Sequence, residues 1–348
     1  MKRRFAAING DGRISVEEEN IPALKTNEVL IKVHTSLISP GTEMGSVKRF
    51  RENPVSDFKP MSFGYACSGE IIEINGNPKG LKTGMRVAAM GAGYAIHSDY
   101  VCVPVNMLVP IPDNVTFAQA SYACLGATAL HCVRRTLPQI GEYGIVLGLG
   151  IVGNLAAQLC QLSGARILGW ETISSRKDIA GKCGINNVLN PKEQDSIAES
   201  KAFSSPYGVD FAVFAFGGNA TGAFDSVLKC MKVSSDTHQM GRIVLVGACQ
   251  IALGGGAASG NVDVRAASRT GPGYHDPAYE YGADYPNAIV DFTTQRNLRE
   301  IINLISENRL IVDPVTTHTL PLEKAQEAAD LLIANPDKAL GIVFEMKH

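Results

Sequence analysis

The 348-residue sequence has no long apolar run, no block of like charges and no paired-cysteine motif. Nothing in it reaches the roughly 18 consecutive apolar residues that a membrane-crossing helix needs. Lys2, Arg3 and Arg4 form the only basic cluster, and they lead into Phe5-Ala6-Ala7-Ile8, too short for the apolar region of a secretory signal. The expected location is therefore the cytoplasm. With 32 Lys and Arg against 34 Asp and Glu, the chain carries a net charge of −2 and no basic footprint, so neither nucleic acid nor an anionic membrane is expected as a partner. The eight cysteines are scattered, with no C-x-x-C pair and no histidine at zinc-finger spacing. In a cytoplasmic chain this long they read as small buried hydrophobes rather than a disulfide framework.

What remains is the composition of a globular enzyme, 45% hydrophobic and 19% charged, in a chain long enough for two domains. Segments 29–38, 69–74 and 100–109 mix β-branched residues with alternating apolar character and are punctuated by Gly, Pro and Asn, so the first third reads as β-rich. From about residue 115 the pattern changes. Long apolar segments at helical spacing, 117–135 and 152–163, accompany short buried strands at 144–149, 165–170, 209–216 and 242–248. Strands separated by helices imply βαβ units and a doubly wound parallel sheet. Residues 271–288, rich in Gly, Pro, Asp and Tyr, read as a long ordered loop, a kind of loop that is usually functional. Helices at 294–308 and 321–334 around a strand near 311–319, then a strand at 340–346, are expected to close the chain.

Gly148-Leu149-Gly150-Ile151-Val152-Gly153 follows a strand and opens a helix, which is the context a dinucleotide-binding turn requires. The first glycine permits the tight turn, the second lets backbone amides approach a pyrophosphate, and the third lets helix and strand pack closely. Gly148, Gly150, Ile151, Val152 and Gly153 are thus cofactor candidates, with the anion at the helix N-terminus. Glu171 ends the next strand, where a carboxylate accepts hydrogen bonds from the adenosine ribose and repels a 2′-phosphate. That favours NAD. Arg176, close behind it, keeps NADP open, and Thr128 completes the cofactor set.

The order of a β-rich region, a Rossmann domain and a C-terminal return resembles the medium-chain dehydrogenase/reductase, or alcohol dehydrogenase-like, superfamily over nearly the whole chain. The segments that carry the likeness are 27–43 (NEVLIKVHTSLISPGTE), 64–75, 81–87, 109–121, 148–153 and 312–332. ISPGTE and SRTGPGYHDPAYEYGADYP (268–286) further resemble a zinc-independent branch that includes bacteriochlorophyllide dehydrogenases and two-domain oxidoreductases of sugar loci. The resemblance implies a Rossmann domain over 126–269, a GroES-like catalytic domain from 1–125 and 270–348, and a homodimer joined through the strand 262–268. The expected class is α/β.

Departures from the family pattern set the chemistry. Zinc-dependent relatives place a cysteine where Pro40 stands and His-Glu where Tyr65-Ala66 stands; Cys124 alone falls at a ligand position. One soft ligand does not hold a zinc that needs about three protein donors. A lobe of four cysteines for structural zinc is also missing, so no metal is expected. Oxidising an alcohol releases a proton as well as a hydride, and without a Lewis acid a side chain must handle that proton. Tyr65 is the best placed protic group, provided a cation or hydroxyl relay brings its phenol toward neutrality, although a tyrosine that only fills the vacated space is equally admissible. Thr42 occupies the relay position and Glu43 is the terminal acid or base, unless it caps a turn or pairs with an arginine. His97, His131 and Cys132 read as packed core. Arg269 and the loop residues Tyr274, His275, Asp276 and Tyr279 offer aromatic faces and short polar groups to a ring substrate; the alternative is that the loop tyrosines pack on their own domain or on a partner subunit.

Three functions follow. The first is a dehydrogenase or ketoreductase acting on a secondary alcohol or ketone of a sugar, cyclitol or similar polar ring. The second is a quinone or enoyl reductase using NADPH, and the third a nicotinamide-binding redox sensor without turnover.

Overall fold

The structure, a computed structural model, describes all residues except 77, 79, 256–258 and 287. It divides into two compact units, Met1–Ala127 with Thr270–His348, and Thr128–Arg269.

The second unit holds a parallel sheet in the spatial order Val188–Leu189, Arg166–Trp170, Tyr143–Leu147, Phe211–Phe214, Gln239–Leu245, Asn261–Ala266. Numbered along the chain within this unit, that is the order 3-2-1-4-5-6 of a dinucleotide-binding sheet, and it reverses between Tyr143–Leu147 and Phe211–Phe214. The short strand Lys232–Val233 adds an antiparallel pair to Gln239–Leu245. Helices follow the parallel strands, so both faces are covered. The central strands accordingly read as continuous apolar runs, with Ile145, Val146, Ala212, Val213, Ile243 and Val244 fully buried. Expected strand positions overlap those observed, with 209–216 shortened to Phe211–Phe214 and 242–248 displaced three residues toward the N-terminus, to Gln239–Leu245.

In the first unit a sheet runs Thr316–Pro321, Gly341–Glu345, Glu28–Leu37, Ala66–Asn75, Arg86–Met90, Leu108–Pro110, with Tyr100–Pro104 paired to the start of Glu28–Leu37. A second sheet joins Ile14–Asn20, Lys2–Ile8 and Met61–Ser62. Two expectations need correction. The apolar stretch 117–135 is two helices, Phe117–Ala120 and Ala123–Thr136: the first starts at a capping box of Thr116 and Gln119 and ends at Ser121, whose hydroxyl donates to the Ala118 carbonyl. The 271–286 loop contains a short helix, Pro277–Glu280, started by Asp276 and Pro277. No helix among the described residues is long and apolar enough to cross a membrane.

Candidate active site and cofactor site

The cofactor candidates sit at the reversal of strand order. Gly148 has φ +82°, in the left-handed region that favours glycine, and its N–H donates to the Trp170 carbonyl at 2.8 Å. A Cβ on Gly153 would lie 1.8 Å from the Gly148 carbonyl oxygen, so only glycine fits beneath the turn. Gly150 is the opposite case: a Cβ there meets nothing within 4 Å. Gly150 is also the N-cap of helix Ile151–Leu162, and no side chain caps that end. A crowded third glycine beside an open second one at an uncapped helix terminus fits a pyrophosphate laid over Gly150, against the amides that Ile151 and Val152 begin.

Glu171 is more heavily engaged than its place at a strand end suggests. It is buried, and Oε2 accepts the Leu149 N–H at 2.7 Å while Oε1 accepts those of Thr172 and Ile173 at 2.8 and 2.9 Å. A carboxylate offers about four acceptor positions, so about one remains for a ligand hydroxyl. The physical reason is that the strand-end backbone turns sharply here, and the side chain satisfies the amides the turn leaves unpaired. Arg176 lies in the first turn of helix Ser174–Lys182; its Nε is buried without a hydrogen bond, and burial lowers its pKa against the pull of Glu171. Thr128, half-buried, opens the unit and Arg269, at φ +64°, closes it.

In the first unit, the strand Glu28–Leu37 ends at Ser39-Pro40-Gly41, and helix Thr42–Glu52 starts immediately after. Thr42 is exposed while Glu43, in the first turn, is buried. Tyr65 follows Gly64, whose φ is +105°, and precedes strand Ala66–Asn75. Its phenol has the Ser39 and Thr42 hydroxyls as hydrogen-bonding neighbours. Burial pushes that phenol well above the ordinary tyrosine range, the Glu43 carboxylate and Cys124 add to the push, and Ser39 and Thr42 pull the other way. None of these groups is a cation. The expectation of a tyrosine brought toward neutrality is corrected: these surroundings hold the Tyr65 phenol protonated. Cys124, its neighbour, is a buried thiol pushed up mainly by burial and then by Glu43.

His97 was not legible as a site residue. Its ring is packed edge-on between Phe63 and Phe344, at 5.0 and 5.1 Å, as a core residue's would be. Both of its nitrogens are nevertheless engaged: Nε2 lies 2.8 Å from Glu43 Oε2 and Nδ1 lies 2.8 Å from Ser36 Oγ. Glu43 thus meets an imidazole instead of an arginine, and its other oxygen accepts the Ser39 N–H at 3.2 Å. No sequence pattern marks a pair 54 residues apart.

The loop's polar groups are largely spent on its own unit. Tyr279 is 2% exposed and stacks on Tyr285 with ring centroids 5.1 Å apart, and Asp276 caps the short helix and accepts the Tyr285 hydroxyl. Asp276 and Tyr279 are therefore corrected from substrate contacts to loop architecture, because the turn at 276–280 needs a cap and an anchor. Tyr281 donates to Glu28 Oε1 at 2.7 Å, and Tyr94 to Glu280 Oε2 at 2.9 Å. Tyr274 accepts the Ala92 N–H, half-buried, and its ring stacks on that of exposed His275 at 3.9 Å.

Comparison with known proteins agrees with this geometry. Residues 25–113 match the model of the alcohol dehydrogenase GroES-like domain, and residues 152–267 that of the zinc-binding dehydrogenase family. The chain belongs to the alcohol dehydrogenase-like medium-chain dehydrogenase/reductase superfamily. It is 27% identical over 248 residues to a zinc-type alcohol dehydrogenase-like protein of Haemophilus influenzae, covering 63% of this chain and 71% of the relative. It is 26% identical over 272 residues to a sorbitol dehydrogenase of Bacillus subtilis, covering 70% and 74%. An oxidoreductase/dehydrogenase of unknown specificity from Escherichia coli shares the fold, with a TM-score of 0.81, 19% identity and all of both chains covered. As a member of this superfamily the chain is a nicotinamide-dependent oxidoreductase of the alcohol dehydrogenase type.

Proposed function

We propose that this enzyme interconverts a secondary alcohol and a ketone on a polyhydroxylated ring, such as a sugar or cyclitol, with NAD(H) and without catalytic zinc. One observation carries the reading: a phenol, Tyr65, stands beside Thr42, Ser39 and Glu43 where zinc-dependent relatives present a metal ligand. Pro40 and Ala66 bring no donor side chain, and among the described residues no group of three His, Cys, Asp or Glu is placed to hold a metal ion.

When bound, the nicotinamide carries the hydride. Tyr65 donates its proton to the substrate oxygen as the carbonyl is reduced, and receives it back on oxidation. Thr42 and Ser39 orient the phenol. Because burial and the Glu43 charge favour its protonated form, carbonyl reduction is the direction that Tyr65 serves directly. General acid catalysis of this kind contributes about a hundred- to ten-thousand-fold, so Tyr65→Phe slows reduction of ring ketones by that order and leaves NADH binding, read by fluorescence, unchanged. A fully active Tyr65→Phe variant contradicts the assignment. Turnover of quinones or enones with NADPH, and of no ring ketone, replaces it with the other reductase reading.

A polyhydroxylated substrate is supported by the stacked Tyr274 and His275 rings and by the relative named for sorbitol. NAD(H) is supported by the Glu171 carboxylate, buried under the glycine turn with about one acceptor position left for a ribose hydroxyl and a charge that repels a 2′-phosphate. Binding NADP more tightly than NAD would overturn that preference. A homodimer through the outer strand Asn261–Ala266, which pairs on one side with Gln239–Leu245, would hide its unpaired edge; light scattering at the monomer mass contradicts it. Eight cysteines, none in a disulfide, fit the reducing cytoplasm.

A further inference from the structure

Burying a carboxylate and an imidazole is costly unless each is paired, and packing alone does not call for it. Glu43 is 5% exposed, while His97 and Ser36 are wholly buried. The histidine is fixed from every side. Its N–H donates to the Phe63 carbonyl at 3.0 Å and its carbonyl accepts the Ala6 N–H at 2.8 Å. Phe63 and Phe344 hold the ring edge-on. Gly64 leaves just enough room: a Cβ there would lie 2.5 Å from the His97 nitrogen and 2.8 Å from ring Cδ2. The next residue is Tyr65, so the imidazole packs against the turn that carries the proton donor.

Hydrogen-bond chemistry orders the chain. A carboxylate accepts, so Nε2–H donates to Glu43, and Nδ1 accepts from the Ser36 hydroxyl. Glu43 in turn clasps the helix start: Oε1 accepts the Ser39 N–H, and the Glu43 N–H donates to the Ser39 carbonyl at 3.0 Å. Ser39 and Thr42, which this clasp holds, are the two hydroxyls that neighbour the Tyr65 phenol.

We propose that His97 is a positioning residue for proton transfer: it pins the Glu43 carboxylate to the Ser39–Thr42 turn and through it orients the Tyr65 hydroxyl toward the substrate oxygen. This rests on Tyr65 being the proton donor. The groups that face the phenol are then Glu43, Cys124, Ser39 and Thr42, with His97 deciding where the carboxylate sits.

Two substitutions separate the contacts. In His97→Gln the side-chain amide reaches the Nε2 position and still donates to Glu43; in His97→Asn it reaches only the Ser36 side. Reduction is measured with the ring ketone that the parent enzyme turns over fastest. Tyrosinate absorbance is titrated in the cofactor-free protein, with the Tyr65→Phe titration subtracted to isolate Tyr65. His97→Asn is expected to lower kcat about ten- to hundred-fold, as loss of a supporting partner typically does, with KM and the NADH Kd within about twofold. Its tyrosinate appears at lower pH because the carboxylate is no longer held beside the phenol. His97→Gln restores most of the rate and the parent titration. Should His97→Asn not fold, Ser36→Ala, which frees the imidazole from one partner, is expected to move kcat and the titration in the same directions. Parent-like kcat and titration in the folded variant overturn the proposal, as does an equal loss in both His97 variants without a titration shift, which would mark a purely structural residue. A fully active Tyr65→Phe points elsewhere: there the donor assignment itself fails.

Discussion

Glu171 does two things at once. Its carboxylate gathers the amides of Leu149, Thr172 and Ile173 under the glycine turn, and its charge is the basis of the proposed preference for NAD. Glu171→Ser therefore should relax the preference for NAD over NADP and also lower stability, since buried amides left without an acceptor cost about 1–3 kcal/mol each at most sites. Paired cofactor titrations and thermal melts check this; a relaxed preference at an unchanged Tm would show that the three amide bonds carry no stability. The acidic residue was legible from its place at a strand end, whereas its occupation by backbone was not, because that depends on how the following turn bends. His97 was hidden for a related reason. A single histidine on an apolar segment looks like core, and here it is core in its packing, between Phe63 and Phe344, and polar in both its nitrogens. Tyr65, by contrast, stood out through substitution: a phenol where relatives keep a ligand.

The turn and helix at 148–162 allow a test that separates folding from binding. Gly150 has φ −61° and open space where a Cβ would go, so Gly150→Ala is expected to melt like the parent yet to bind NADH weakly, because the new methyl occupies the space over which the pyrophosphate lies. Gly153→Ala drives a Cβ into the Gly148 carbonyl and should lose both stability, by about 1–3 kcal/mol or more as overpacking does, and NADH binding. Parent-like NADH affinity in Gly150→Ala would remove the pyrophosphate from this turn. The 271–286 loop makes a prediction about pH. Tyr94, which ties the 91–96 turn to Glu280, is pushed up to about 12 by burial and by that carboxylate. A tyrosine raised on folding contributes stability that is complete below its unfolded value of about 10 and is lost as pH rises toward the folded value. Melting temperature should therefore fall between about pH 10 and 12, and less steeply in Tyr94→Phe; a flat profile in the parent across that window contradicts the tie. Elements with strong periodicity were legible, as the short buried strands of the parallel sheet show. The break at Ser121–Tyr122 was not, since it falls inside an uninterrupted apolar pattern and is marked only by Ser121, whose hydroxyl bonds the Ala118 carbonyl.

At the scale of the molecule, the order of a β-rich region, a parallel sheet with a glycine turn and a C-terminal return is legible in the sequence and agrees with the family to which the chain belongs. The loop at 271–286 was legible as ordered and polar, but its polar groups turn out to be engaged, Tyr285 with Asp276 inside the loop, and Tyr281 with Glu28 and Glu280 with Tyr94 across long stretches of sequence that no local pattern reveals. The central claim is that a side chain replaces the metal in handling the proton. It is tested most directly by elemental analysis of the active enzyme, with turnover of a ring ketone measured before and after exhaustive chelation. Zinc far below one per chain with turnover unaffected by the chelator is the expected result; one zinc per chain, with activity lost on chelation and restored by zinc, contradicts it.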